Sequence, residues 1–535
     1  MAKCKPWLLC CFILACLIGA VALVCLWIAS VADGGCASGG FGRAAVSADS
    51  QLCSDIGRNM LQQGGSAVDG AIAALLCTSF VNPQSMGIGG GSIFTIRNKT
   101  GNVKVYNSRE TVPQSFKSNL LSDCPTVFKL STGSQWIGVP GELRGYEAVH
   151  KHYGKLPWAK LFEPTIRLAR EGIPLTDYLG KLLQFPLVKT SHQVFCNKNK
   201  TVLRTGDILK FPKLAETMET IAEQGADAFY TGKIGHDLIQ DIQAAGGTLK
   251  MEDLRSFKVR VEDAWTVPLG NHQMHLPLMK EFSLTPNSLE GDKKIQMYHH
   301  YIETLKFANG QKRSIKDYDL TNQKSAGHLI EPSFINRIKE MISSNHTHDN
   351  SYYNLKPSSD HVGTTHVSVL DEDGLAVSAT STINQLNQLL PQTGIILNNE
   401  LADFCGRADT VRAGEQPPSS MTPVILESSS GGILVIGGSG GSLIPTAVAM
   451  SLINRLWLGM NLEDAIAAPI VFVDSKNNVN FEPGFDKSVK KGLIGLGHIF
   501  GDWKFFLNVV NAIEKERGCI VAVSDKRKMG MSSGY

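Results

Sequence analysis

Gly363-Thr-Thr-His-Val-Ser-Val-Leu370, Asp371-Glu-Asp-Gly374 and Leu375-Ala-Val-Ser-Ala-Thr-Ser-Thr-Ile383 run on from one another well inside the chain. In the first and third pieces apolar and polar residues alternate, the two-residue period of a β-strand. The acidic piece ending in Gly between them reads as a turn. A hairpin is predicted, and its neighbours set the class of fold. Upstream, Ile56, Met60 and Leu61 share one face of a helix over Ser54–Gln63, and a second helix starts at Ser66 with Val68, Ile72, Leu75, Leu76 and Phe80 inward. Strands are predicted at Ile93–Ile96 and 103–107, then a largely helical section over about 140–345. Downstream come strands at Ile395–Leu397, Ile425–Leu426 and Ile433–Gly437, helices at Thr446–Leu458 and Leu462–Ala467, and a last strand from Cys519 to Ser524. Helices, strands and helices again in both halves predict a layered α/β sandwich rather than βαβ units.

The 535-residue chain can bury a large core. Its net charge of +3 gives no reason to expect nucleic acid as a partner. Residues 7–31 are uncharged and apolar, and Lys3 and Lys5 precede them. A helix crosses the ~30 Å hydrocarbon layer in about 20 residues, so this stretch is long enough to span. With the positive charge on its N-terminal side it predicts a single-pass type II anchor at the plasma membrane: residues 1–6 inside, 7–31 in the bilayer, a Gly-rich stalk over 32–45, and the body outside. A cleaved signal peptide is the rival reading, but its apolar region is normally about 7–15 residues. Sequons at Asn98, Asn199 and Asn345 suit an extracellular body. Cys36, Cys53, Cys77, Cys124, Cys196, Cys405 and Cys519 lie beyond the anchor, and an odd number leaves at least one thiol free or intermolecular. With no CxxC pair and no HExxH, the His299/His300 and His346/His348 pairs read as packed or solvated rather than metal-bound.

Two Gly-rich stretches, Gly87–Gly91 and Gly437–Ser442, sit beside strands, and neither ends in the GK[ST] of a phosphate loop. Gly440-Gly441 is open to two readings, a backbone nest for an oxyanion or tight strand-to-helix packing. Singly, Arg109 reads as a surface ion pair, Ser419-Ser420 as a turn and Asp403 as a helix cap.

Together, Ser85-Met-Gly-Ile-Gly-Gly-Gly91, Ser108-Arg-Glu-Thr111, Gly138–Gly145, Gly363-Thr-Thr-His366, Ser378–Asn384, Gly394–Glu400, Pro418-Ser-Ser-Met421, Gly440-Gly441 and Ser524-Asp-Lys-Arg-Lys528 make the chain resemble the gamma-glutamyltransferase family. Val81-Asn-Pro-Gln-Ser85 and Phe505–Val510 are closest in wording to its vertebrate gamma-glutamyl leukotrienase branch. The resemblance implies an N-terminal-nucleophile hydrolase with an αββα four-layer sandwich and self-cleavage between Gly363 and Thr364. That would give a heavy part (46–363 of the ectodomain) and a light part (364–535). Thr364 would then own a hydroxyl nucleophile and a free α-amine, and an amine titrating near pH ~8 can activate that hydroxyl without a separate His. Thr382 is implied as its hydrogen-bond partner, and Gly440 and Gly441 as oxyanion donors. Arg109, Ser419 and Ser420 would hold the substrate α-carboxylate, and Asn384, Glu400 and Asp403 its ammonium. Substrates would be glutathione and its S-conjugates, leukotriene C4 among them, with water or a dipeptide as acceptor and no cofactor or metal. A Cys53–Cys77 disulfide is also implied, whereas Cys196 matches one member of a second bridge whose partner is not evident.

The chain departs from the family pattern at 277–297, where a Gly-Gly and most of an apolar helix are missing, and at 385–390, where the pocket-covering loop is short. A catalytically impaired surface homologue is therefore the rival expectation. An N-terminal-nucleophile amidase with another acyl preference is a weaker one, because an uncharged acyl group would leave the recognition charges unpaired.

Overall fold

Alternation in 363–383 becomes a hairpin with both faces buried. The computed structural model describes residues 36, 39–124, 133–184, 193–269, 271–275, 285–312, 326–355, 360, 363–384, 389–407, 409–504 and 506–535. The cytoplasmic tail and anchor expected over 1–31, residues 277–284 of the departure at 277–297 and residues 385–388 of the loop at 385–390 lie outside these. Among the described residues no helix is long and apolar enough to cross a membrane.

In chain order the strands of the two main sheets are β1 (Ala45–Ser47), β2 (Gly91–Arg97), β3 (Val103–Ser108), β4 (Arg260–Asp263), β5 (Thr266–Leu269), β6 (His272–His275), β7 (Thr365–Leu370), β8 (Ala376–Thr382), β9 (Val424–Ser428), β10 (Ile433–Ser439), β11 (Val509–Glu516), β12 (Cys519–Val523) and β13 (Ser533–Gly534). The first sheet runs β13-β1-β7-β8-β2-β3-β4 and the second β12-β11-β10-β9-β6-β5, each pair antiparallel. The sheets lie face to face, with β7 and β8 against β10. Helices α1 (Gln51–Gln62) and α2 (Ala67–Val81) cover the outer side of the first sheet, and α3 (Ile444–Leu456) and α4 (Leu462–Ala467) that of the second. The result is a four-layer αββα sandwich.

Val367, Val369, Val377 and Ala379 of the hairpin join the core that α2 fills. The polar face turns toward the other sheet rather than to water: Ser378 Oγ donates to the Ile436 carbonyl at 3.0 Å and Ser368 Oγ to that of Asn511 at 3.2 Å. Hydroxyls can occupy this interior because each finds an acceptor there. Every residue of α2 is buried: it is mostly Ala, Leu, Ile and Val, and its Thr78 and Ser79 hydroxyls donate to the Ala74 and Leu76 carbonyls of the same helix. A capping box starts it: Ser66 Oγ accepts from Asp69 N–H at 3.2 Å, and Ser66 N–H donates to Asp69 Oδ2 at 2.8 Å.

Three expectations need correction. The stalk predicted to residue 45 ends sooner: Phe41 bridges Ile520, Ala44 is fully buried and Ala45 opens β1, since these apolar residues fill the seam between β12 and β13. Ile395–Leu397 forms single bridges, Ile396 with Leu389 and Leu397 with Gly89, because Asn398 next in line spends its side chain on the Gly89 and Gly138 carbonyls. Within the largely helical section over 140–345, β4, β5 and β6 extend both sheets, as a strand read near 265–276 allows. Cys519–Val523 is not last; β13 follows and pairs with β1.

Cys53–Cys77 ties α1 to α2 as expected. Two further bridges were not anticipated, Cys36–Cys519 and Cys124–Cys405, with Cα separations of 5.3 and 5.6 Å. Cys196 stands outside all three.

Candidate active site

Thr364 sits at the mouth of the hairpin, one residue before β7, and is buried at 5% exposure. The register pairs Ser381 with Thr365, so Thr382 returns beside Thr364, whose Oγ1 donates to Thr382 Oγ1 at 3.4 Å. Thr382 Oγ1 in turn accepts from Asn384 N–H at 2.7 Å. The backbone before the nucleophile is held in unfavourable territory. Gly363 has φ +131°, and a Cβ there would lie 1.8 Å from the Asn384 carbonyl oxygen, so only glycine fits. Thr364 has φ +83°, a region that β-branched residues avoid at a cost of about 1–3 kcal/mol. The strain falls on the Gly363–Thr364 link.

Gly440 N–H donates to the Gly363 carbonyl oxygen at 2.8 Å. An oxyanion formed on that carbonyl would therefore meet a donor already in place. Gly440 also answers to packing: its φ is +122°, and an added Cβ would be 2.2 Å from the Leu507 carbonyl oxygen. Tight packing and an amide on the Gly363 carbonyl thus meet at one residue. Gly441 follows at φ +60° and opens a short 3-10 turn.

The His of Gly-Thr-Thr-His does not face the nucleophile. His366 Nδ1 pairs with Thr380 Oγ1 at 2.8 Å and Nε2 with Ser368 Oγ at 3.0 Å, between the sheets. Burial holds its pKa down at about 3, so it stays neutral. A proton leaving Thr364 Oγ would need another acceptor.

The recognition residues converge as well. Arg109 Nη2 lies 2.7 Å from both Glu400 Oε2 and Asp403 Oδ2, and Nη1 is 3.5 Å from Glu110 Oε2. Asn384 Nδ2 donates to Asp403 Oδ1 at 3.0 Å. Arg109 is 3% exposed, so this is a buried ion cluster and not a surface pair. One guanidinium faces three carboxyl groups. Burial would lower the Arg109 pKa, but Glu400, Glu110 and Asp403 outweigh it and hold it above its usual value. Burial raises all three carboxyls, Glu400 to about 7 and Glu110 well above its usual range, with the Glu400 charge adding to the rise at Glu110. Lys312 at the rim is a second cation near the cluster, and its charge draws the Asp403 carboxyl down against burial.

Ser419 and Ser420 lie at the rim. Pro418, next to them, accepts from Arg109 Nη2 through its carbonyl at 3.1 Å. Ser419 Oγ accepts from Met421 N–H at 3.0 Å, the turn the bland reading foresaw, while Ser420 Oγ accepts from Lys312 Nζ at 3.1 Å. The sequons are surface positions, Asn98 half-buried and Asn199 and Asn345 exposed.

Sequence reasoning missed Asp49, Glu110 and Lys528. Glu110 adjoins Arg109 in a quoted block and Lys528 closes another, so proximity to motifs was the available signal; Asp49 had none. Away from this site, among the described residues, His299, Glu303 and His498 could also converge on a metal ion. They form a closed hydrogen-bond chain instead: Lys306 Nζ to His498 Nδ1 at 3.1 Å, His498 Nε2 to His299 Nδ1 at 2.8 Å, His299 Nε2 to the Ser343 carbonyl at 2.7 Å, and Tyr353 OH to Glu303 Oε2 at 2.6 Å. Every ligating atom is already spoken for.

Residues 53–535 match the family model described as gamma-glutamyltranspeptidase. The chain is 46% identical to the glutathione hydrolase 5 proenzyme of Rattus norvegicus and 44% to that of Homo sapiens, with 94% of each chain covered in both comparisons. It is 32% identical to scoloptoxin SSD14 of Scolopendra dehaani over 92% of each chain. In fold it is similar to a cephalosporin acylase from Bacillus halodurans, with a TM-score of 0.79 over 93% of this chain and 96% of that one at 20% identity. This chain belongs to the gamma-glutamyltranspeptidase family.

Proposed function

We propose that this protein is a gamma-glutamyl hydrolase and transferase that acts on glutathione and its S-conjugates, leukotriene C4 among them, through a gamma-glutamyl ester on Thr364. The observation that carries the reading is the Gly440 N–H on the Gly363 carbonyl, beside the Thr364 hydroxyl and behind a strained φ. In the first step Thr364 Oγ attacks the Gly363 carbonyl carbon and the oxyanion forms against Gly440. The Oγ proton passes to the Thr364 nitrogen as the C–N bond breaks to leave an ester, and water hydrolyses that ester to a Gly363 carboxylate and restores the Thr364 hydroxyl beside its free amine. In turnover that amine takes the Oγ proton, Oγ attacks the γ-carbonyl of the donor, and the cysteinyl amine departs protonated. Water or a dipeptide amine then releases the glutamyl group.

Recognition follows from the ion cluster. The donor's α-ammonium would join Glu400, Asp403 and Asn384, and its α-carboxylate would take Arg109 with Ser419 and Ser420 at the rim. The glutathione hydrolase relatives support this substrate class, and the word proenzyme in their names supports processing. The proposed location is the extracellular side of the plasma membrane on a type II anchor at 7–31, and the three disulfides and the surface sequons support an oxidising compartment.

The test is a reducing gel of the purified ectodomain read beside glutamate release from glutathione. The proposal expects two fragments, the smaller beginning at Thr364, and activity. A single uncut band without activity would favour the impaired homologue instead.

A further inference from the structure

We infer that Lys528 is a positioning residue for Thr364: its ammonium clamps the nucleophile's main chain and, after the cut, disfavours protonation of the neighbouring α-amine. The inference rests on the cut proposed above. Lys528 closes the 3-10 turn Lys526–Lys528 after β12, and its side chain is 3% exposed. A buried ammonium must place three donors, and this one does: Asp49 Oδ2 at 2.7 Å, the Thr364 carbonyl oxygen at 2.8 Å and Ser439 Oγ at 3.3 Å. The acceptors are themselves fixed. Asp49 also accepts from Thr365 Oγ1 at 2.6 Å and Asn511 Nδ2 at 2.7 Å, and Ser439 immediately precedes Gly440. One cation thus ties the nucleophile to the strand that delivers its oxyanion donor.

The cut removes the covalent neighbour that holds Thr364 at φ +83°. What then remains on the residue's main chain is the Ser85 carbonyl, accepting from Thr364 N–H at 3.2 Å, and the Lys528 clamp on its own carbonyl. The freed amine lies within a single residue's backbone of the carbonyl Lys528 grips, about 5 Å from the ammonium on ordinary bond lengths. A like charge at that range favours the neutral, proton-accepting amine by about one pH unit once the partner Asp49 offsets part of it. The other groups facing this point are the Tyr178 ring, 6.0 Å from Lys528 Nζ, neutral His366 on β7, and the Thr382 hydroxyl with Glu400 beyond it. None of them is a second cation in contact with Thr364.

The experiment compares wild type, Lys528→Met and Lys528→Arg, following fragment appearance after cell-free synthesis and then the pH profile of kcat/KM on glutathione. The expected result is that Lys528→Met cuts at least tenfold more slowly and that the acid limb of its profile moves up by about one pH unit, while Lys528→Arg restores the limb. A cut Lys528→Met enzyme with a wild-type cutting rate and acid limb would overturn the inference. If wild type itself stays uncut, the proposed function fails and not the role of Lys528. Should Lys528→Met fail to fold, Lys528→Met with Asp49→Asn removes both buried charges together. Slow cutting in that pair supports the clamp, and wild-type cutting overturns it.

Discussion

At Gly363–Thr364 two successive residues hold φ of +131° and +83°, whereas across the same division Cys36 is joined to Cys519 and Cys124 to Cys405. Both bridges connect a residue before 364 to one after it. The chain is strained where it is proposed to open and stapled where its two sides meet. The difference teaches that breaking the peptide bond and separating the products would be distinct events. Strain at the junction would speed the proposed attack on one carbonyl, and the staples would keep its products one molecule.

The comparison breaks most completely at the nucleophile. Thr364→Ala should leave a single band on a reducing gel and lose at least about 10⁴-fold in glutamate release, as removal of a catalytic nucleophile does. A processed, active variant would refute the junction. The staples come next. Cut protein should run as one species without reductant and as two with it, and Cys36→Ser with Cys124→Ser should run as two in both lanes. Losing both bridges should also lower stability by about 2–5 kcal/mol per bridge, read by denaturant unfolding. Two bands from unreduced wild type would remove the stapled half of the comparison.

Gly440→Ala sharpens the junction half. The added Cβ would meet the Leu507 carbonyl, so the amide must leave the Gly363 oxygen and cutting should slow about 10²–10³-fold in a time course. Glu400 gives a smaller, pH-dependent effect. Its carboxyl is raised by burial to about 7, so below that value it is protonated in the empty site and above it ionised. A ligand ammonium favours the ionised form, so glutamate affinity, read by inhibition, should strengthen up to about tenfold between pH 6 and 8, and Glu400→Gln should flatten that slope. For folding the sign is opposite: the contribution is full below the ordinary value of 4.5 and is lost as pH rises through about 7. Smallest of all, Arg43→Ala removes an exposed ion pair to Glu372 across the division, and should change stability by less than about 1 kcal/mol.

The hairpin, α1 and α2 were legible because short-range periodicity and a tight turn fix them locally, and the resemblance supplied Thr382 as the partner of Thr364. The polar face of the hairpin was less so. Period-two alternation signals one face unlike the other, and here the polar face seeks carbonyls of a second sheet, a partner far away in the chain. β11 escaped for a related reason: Val509–Ile513 is buried with Asn511 its one polar residue, and the polar residues otherwise run together in the tail Glu514–Glu516, so no alternation marks it. Disulfide partners nearly 500 residues apart, such as Cys36 and Cys519, carry no local signal at all. At the site, the resemblance supplied Arg109, Glu400 and Asp403, but not that they form one buried cluster with Glu110, since burial belongs to the fold and not to a motif.

The strand order of the first sheet, β13-β1-β7-β8-β2-β3-β4, interleaves stretches from either side of residue 364, and the second sheet does the same where β9 meets β6. Neither product of the break could assemble this sandwich by itself: each would present bare edges, the template for aggregation. The proposed maturation would therefore run one way. The ribosome must deliver a whole precursor, and a light fragment translated from its own message would inherit the threonine without the architecture that arms it.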